Sequence, residues 1–243
     1  SWTGEVFLLS LFDGLPKYPS ESVNFFQSIS EGKHVFIGQI FSLGLGSYIV
    51  SGGIKKGIEK LNLICMPILF IILFLLVIWA AFLGKSVEGY SNLLFNFDIK
   101  QLANSTNIRL AFSQAFFSLS LGIGVMITYA SYLNKKSNLP KQAIQISFLD
   151  TLVGLMAGLI TFPIIYTFNM SSSISASTIG TLFTTIPTGL GQYGLIGRLM
   201  AVLFFGLAYI AAITSMVSLL EIPVSTLIDK FNLKRKYASI YSL

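Results

Sequence analysis

The sequence predicts an all-α, polytopic membrane bundle with one discontinuous helix. Three observations predict it. Of 243 residues, 53% are hydrophobic and only 11% charged, and the mean hydropathy is +0.76. A soluble domain carries about a quarter charged residues, so this chain cannot cover a surface in water. Apolar stretches long enough to cross a ~30 Å hydrocarbon core recur along it. One of them carries "SLSLGIG" at its centre, where a spanning helix wants Leu or Ala.

The elements follow in chain order. Residues 1–15, "SWTGEVFLLSLFDGL", are too short to span and read as a helix end or an interfacial segment. The first span is 35–53, of marginal length and interrupted by Gly38, Gly44 and Gly46. The second, 61–84, is "LNLICMPILFIILFLLVIWAAFLG", apolar over almost its whole length. The third, 109–133, is broken near 120–124. Spans over 141–168 and 195–228 complete the set of five. Residues 54–60 and 134–140 are then loops on one side of the membrane, and 85–108 and 169–194 loops on the other.

Charge orients the bundle. The connections "IKKGIEK", "NKKSNLPK" and "DKFNLKRK" hold Lys55, Lys56, Lys60, Lys135, Lys136, Lys141, Lys230, Lys234, Arg235 and Lys236, ten of the sixteen basic residues. The alternate connections hold the other six, together with six of the ten acids. An excess of Lys and Arg marks the cytoplasmic side, so 54–60 and 134–140 are expected there. This accounts for the net charge of +6 as topology, without nucleic acid as a partner. Asn104 and Asn169 match N-x-S/T in the outer loops, a pattern that chance supplies often.

Other chemistry is excluded by residue type. One cysteine, Cys65, in an apolar run gives no disulfide framework, and one histidine, His34, gives no imidazole metal cluster. No nucleophile–base pair can be built from these, so the chain is not expected to be an enzyme. It begins without Met in mid-pattern and ends on "KRKYASIYSL", which reads as a piece of a longer protein.

Polar groups recur at depth. With a rise of about 1.5 Å per residue, Asp150 lies about 13 Å from Lys141 and Ser120 about 16 Å from Arg109. Thr214 and Ser215 lie about 24 Å along a long, tilted helix from Arg198. For any single Ser or Thr, a bond to the carbonyl one turn back accounts for the hydroxyl. Asp150 is different, because an intramembrane carboxylate is costly and marks a functional site by default. Glu221, nearer the Lys-rich end, reads as a structural or gating partner. A carboxylate, hydroxyls and freed carbonyls are hard oxygen ligands suited to Na⁺. A Gly-interrupted span supplies such carbonyls in secondary transporters.

The motifs "FSQAFFSLSLGIGVMITYASYL", "LDTLVGLMAGLITFP" and "AAITSMVSLLEIPVSTLID", in this order, closely resemble the bacterial neurotransmitter:sodium symporters. "SWT" is similar to the end of that family's third helix, and "GIKKGIEKLNLICMP" to the start of its fifth. The resemblance covers essentially the whole chain. It implies part of an inverted-repeat transporter fold, running from the end of the third helix to the start of the ninth. It implies also that the helices missing on either side supply the rest of both sodium sites, and that this part does not transport alone.

Carried over position by position, the resemblance implies substrate contacts at Phe117, Ser118, Ser120, Ile123, Ser215 and Leu219. It implies Na⁺ ligands at Ser118 and Asp150 for one site, and at Ala211, Thr214 and Ser215 for the other. Ile123 stands where an aromatic often closes the pocket. Gly154, one turn after Asp150, carries neither the carboxylate nor the Ser of relatives, which leaves chloride coupling open. Gly57 and Pro67 match a fifth-helix unwinding motif, and an ordinary Pro in the first turns of a helix explains Pro67 equally well. The expected function is Na⁺-coupled symport of an amino acid or related amine in a bacterial cytoplasmic membrane, with lipid around it and no cofactor. The alternatives are a proton-coupled carrier or channel using Asp150 and Glu221, or a non-transporting membrane protein.

Overall fold

A computed structural model describes residues 2–12, 14–31, 33–96, 99–133, 137–169 and 181–242. Among them there is no β-strand. Helix α1 spans Trp2–Leu11, α2 Pro19–Ser30 and α3 Lys33–Ser51. A π-helical turn, Ile54–Glu59, runs directly into α4, Lys60–Ala81. Two short helices follow, α5 Ser86–Leu94 and α6 Ile99–Leu102, then α7 Ser105–Ser118 and α8 Val125–Ser131. Helix α9 spans Leu139–Thr167. A second π turn, Thr181–Thr185, precedes α10 Ile186–Gln192, α11 Gly194–Phe231 and α12 Arg235–Tyr241.

Local sequence sets these boundaries. Asn104 caps α7 by accepting the Thr106 N–H at 2.9 Å, and Asn138 caps α9 by accepting the Lys141 N–H at 3.1 Å. The oxygen acceptor satisfies one of the orphan donors of each first turn. Asn104, one of the two N-x-S/T positions, is thus in use as a helix cap. Pro140 sits in the first turn of α9, where a missing N–H costs nothing.

Among the described residues, three helices are long and apolar enough to cross a membrane: Ile54–Ala81, Leu139–Thr167 and Gly194–Phe231. The expected first span is α3, and the expected third is divided into α7 and α8. One boundary needs correction. Residues 54–60, expected as a loop, are helical, because Gly52 and Gly53 (φ 86°) make the reversal. The Ile58 N–H then returns to the Gly53 carbonyl at 3.2 Å, so the lysines project from a helix end. The expected outer loop 85–108 also contains helices, α5, α6 and the start of α7. Of the expected loops 134–140 and 169–194, residues 134–136 and 170–180 lie outside the described residues, and the second is helical from Thr181 to Gln192.

Helix α11 is the axis of the assembly, packed by α1, α3, α4, α8, α10 and α12. Two cores lie along it. In the first, Phe205 is fully buried, with its ring stacked on Phe183 at 6.4 Å and edge-on to Phe204 at 5.1 Å. Trp2 meets Phe183 edge-on at 5.8 Å. The second core, nearer the Lys-rich end, gathers Val50, Ile58, Val217, Leu220, Val224 and Ala238. Helix α5 lies on α9, where a Cβ on Gly89 would meet the Pro163 nitrogen at 2.8 Å. Small residues of this kind let helix backbones approach in a bilayer, where close packing replaces the hydrophobic effect as the driving force.

Candidate functional site

Helix α7 ends in a Schellman motif formed without glycine. The Ser120 N–H donates to the Phe117 carbonyl at 3.1 Å, and the Leu121 N–H donates to the Phe116 carbonyl at 2.8 Å. Closing the helix in this way puts the intervening residue into the left-handed region, and Ser120 has φ 53°. Gly122 (φ 84°) and Gly124 (φ 88°) follow, and Gly124 opens α8. Residues 119–124, with Ser120, Gly122 and Gly124 at positive φ, therefore separate the two half-helices. The N–H groups of Gly122, Ile123 and Gly124 find no acceptor among the described residues. A helix broken by ordinary sequence at this depth would not persist, since free backbone groups are tolerated only where they line a cavity or a partner.

A side-chain hydrogen bond joins the break to α9. The Ser118 hydroxyl donates to the Asp150 carboxylate at 2.6 Å, a charge-assisted distance. Asp150 is half-buried and Ser118 exposed. On α11, the Thr214 hydroxyl donates to the Ala211 carbonyl at 2.9 Å, one turn back, and is itself buried. Ser218 donates to the Thr214 carbonyl at 3.1 Å. Ser215, next to Thr214, is exposed, as is Leu219. Phe117 is 79% exposed and Ile123 51%. No residue of α7 is buried, so the face bearing Phe117 and Ser118 is open.

The structure therefore joins Ser118 to Asp150, and Ala211 to Thr214. It shows no bond from Ser120, Ser118 or Asp150 to Ala211, Thr214 or Ser215 among the described residues. Depth counting puts these groups at one level but says nothing about the direction each helix presents. Gly154 has open space around it.

The second half-helix is held separately. Tyr129 donates to the Ser218 hydroxyl at 3.2 Å, and Tyr132 to the Glu221 carboxylate at 2.7 Å. Glu221 is fully buried and pairs with Arg235 of α12. Arg235 also donates from Nε to the Val50 carbonyl at 2.9 Å. The Glu221–Arg235 pair thus ties α3, α8, α11 and α12 together. Asp150 is bonded to Ser118, whereas Glu221 is bonded to Tyr132 and Arg235, and no hydrogen bond joins the two groups among the described residues. Sequence reasoning missed Tyr129, Tyr132 and Arg235. Arg235 was read as a topology charge, and the two tyrosines, three apart, carry no signal until Ser218 and Glu221 are opposite them.

A cavity of about 1260 Å³ opens between the start of α4, α8 and the first half of α9. Its wall is mostly apolar, with Asn62, Tyr129 and Gln142 among the lining residues. The Asn62 Oδ1 is buried without a hydrogen-bond partner.

Comparison with known proteins places these elements. A family model described as the sodium:neurotransmitter symporter family matches residues 18–242. An uncharacterised sodium-dependent transporter of Methanocaldococcus jannaschii is 40% identical over 200 residues, covering 80% of this chain and 40% of the relative. The sodium-dependent transporter YhdH of Bacillus subtilis is 36% identical over 208 residues, covering 83% of this chain and 43% of YhdH. Among solved structures, MhsT in complex with L-phenylalanine superposes with a TM-score of 0.85 at 35% identity, over 99% of this chain and 54% of MhsT. The chain thus spans about two-fifths of the curated relatives and about half of the solved one.

Proposed function

Because the chain belongs to the sodium:neurotransmitter symporter family, an integral multi-pass membrane family, we propose that its protein carries an amino acid across a bacterial cytoplasmic membrane together with Na⁺. The observation that carries the reading is the 2.6 Å contact of Ser118, at the end of a broken helix, with Asp150. A half-buried carboxylate and a hydroxyl beside unwound backbone are hard oxygen donors next to peptide groups that the break has freed. One Na⁺ is held by Ser118 and Asp150 with oxygens from outside these residues. The other is held by the Ala211 carbonyl and the Thr214 and Ser215 hydroxyls.

The substrate lies against Phe117, Ser118, Ser120 and Ile123 on the broken helix, and against Ser215 and Leu219 on α11. The amino-acid class is supported by MhsT, whose structure holds L-phenylalanine. The open face of α7 and the cavity beside α8 are the surfaces we assign to the remaining helices of the transporter, which complete both ion sites. No bond in the substrate changes. Na⁺ and amino acid bind one conformation of the broken helix more tightly than the other and shift its population, which is what couples the two fluxes.

The test is uptake by the full-length protein in proteoliposomes, screened with labelled L-amino acids. An inward Na⁺ gradient should drive accumulation, and K⁺ in its place should abolish it. Accumulation without Na⁺ that follows a proton gradient overturns the reading.

A further inference from the structure

We propose that the cleft between the end of α3 and the start of α4 holds the anionic headgroup of a membrane phospholipid. The cleft has a volume of about 360 Å³, at the small end of the about 300–1,000 Å³ usual for ligand sites. Tyr48 and Ser51 line it from α3, and Lys56, Lys60, Leu61 and Ile64 from the π turn and α4. Lys56 and Lys60 are four apart and so share one face of the helix end. Neither ammonium has an anionic partner among the described residues. The acid between them, Glu59, lines the large cavity beside α8 instead, and so leaves the positive charge of this cleft in place.

The arrangement matches the layers of a bilayer surface. Two cations and a largely exposed tyrosine form the rim at the end of an apolar helix. Leu61 and Ile64, one turn further in, give an acyl chain an apolar wall. Lysine side chains extend along such a wall while the ammonium stays at headgroup level, and cytoplasmic basic pockets between membrane helices favour anionic lipid. The inference uses the reading of 54–60 as lying at a membrane surface. It does not use sodium coupling, so uptake in proteoliposomes and lipid retention fail independently.

The full-length protein, exchanged into micelles of equal phosphatidylglycerol and phosphatidylcholine, should retain phosphatidylglycerol with a preference of up to about 30-fold, the value for two lysines at an anionic surface. K56Q/K60Q should bring this to parity. K55Q, which removes a lysine outside the cleft, should keep it. The preference should fall as salt is raised, a measurement on the unsubstituted protein that decides the matter if K56Q/K60Q does not fold. Parity in the unsubstituted protein, a salt-independent preference, or equal loss in K55Q overturns the proposal. Displacement of the lipid by millimolar inorganic phosphate also overturns it, in favour of a soluble anion.

Discussion

Ser120 holds a backbone conformation that costs an L-residue about 1–2 kcal/mol, at a position where helices usually end in glycine. Ser120→Gly should therefore raise the unfolding free energy of the ligand-free protein by about 1 kcal/mol, read as a higher thermal midpoint. An unchanged or lower midpoint sinks the strain account. At Gly124, with φ 88°, alanine should cost about 1–2 kcal/mol by the same argument reversed. Asp150 and Thr214 bear on ligand rather than on strain. A site saturated at a hundred times its dissociation constant stabilises by about 2.7 kcal/mol. Asp150→Ala and Thr214→Val should each remove most of the Na⁺-dependent shift in thermal midpoint, measured against K⁺. A full shift in either variant would rule that residue out as a ligand.

At the scale of elements, the break in 109–133 makes two half-helices with different attachments. Helix α7 touches α9 through Ser118, whereas α8 is fastened to α11 through Tyr129 and Tyr132. The second attachment depends on a buried ion pair, and removing one partner of such a pair costs about 3–5 kcal/mol because the other charge stays buried. Arg235→Ala should destabilise by that order in chemical denaturation, and replacing Glu221 and Arg235 together by methionine should cost less. Gly57 serves a different contact. A Cβ there would clash with the Ile49 carbonyl oxygen, so Gly57→Ala forces α3 from the π turn, at about 1–3 kcal/mol of overpacking. A substitution tolerated without loss of thermal midpoint would show that this turn opens freely.

For the whole molecule, the distribution of lysines predicts one orientation, and thiol labelling measures it. In a background where Cys65 and any further cysteine of the full-length protein are replaced by serine, Lys55→Cys should react with an impermeant thiol reagent only from the cytoplasmic side. Val87→Cys, exposed at the start of α5, should react only from outside. The opposite pattern overturns the orientation. The absence of buried residues on α7 is also a property of the whole. Ser118 joins this helix to Asp150 of α9, and its outer face is open to pack against other surfaces.

Composition and periodicity determined that the chain is a helical membrane bundle. Charge predicted its orientation, and "SLSLGIG" located the break, because hydropathy and backbone freedom are properties of consecutive residues. The Ser118–Asp150 pair was legible to the extent that both lie at mid-depth in motifs resembling one family. Depth is a count along a helix, whereas contact also needs the rotation of each helix about its axis, which only packing fixes. For that reason Arg235 looked like one more cytoplasmic charge until α12 folded back and brought it to Glu221. The helical course of 54–60 was hidden for a similar reason. Lysines on a polar stretch read as a loop, whereas the reversal at Gly52 and Gly53, with Gly57 packed against Ile49, lets the backbone there coil.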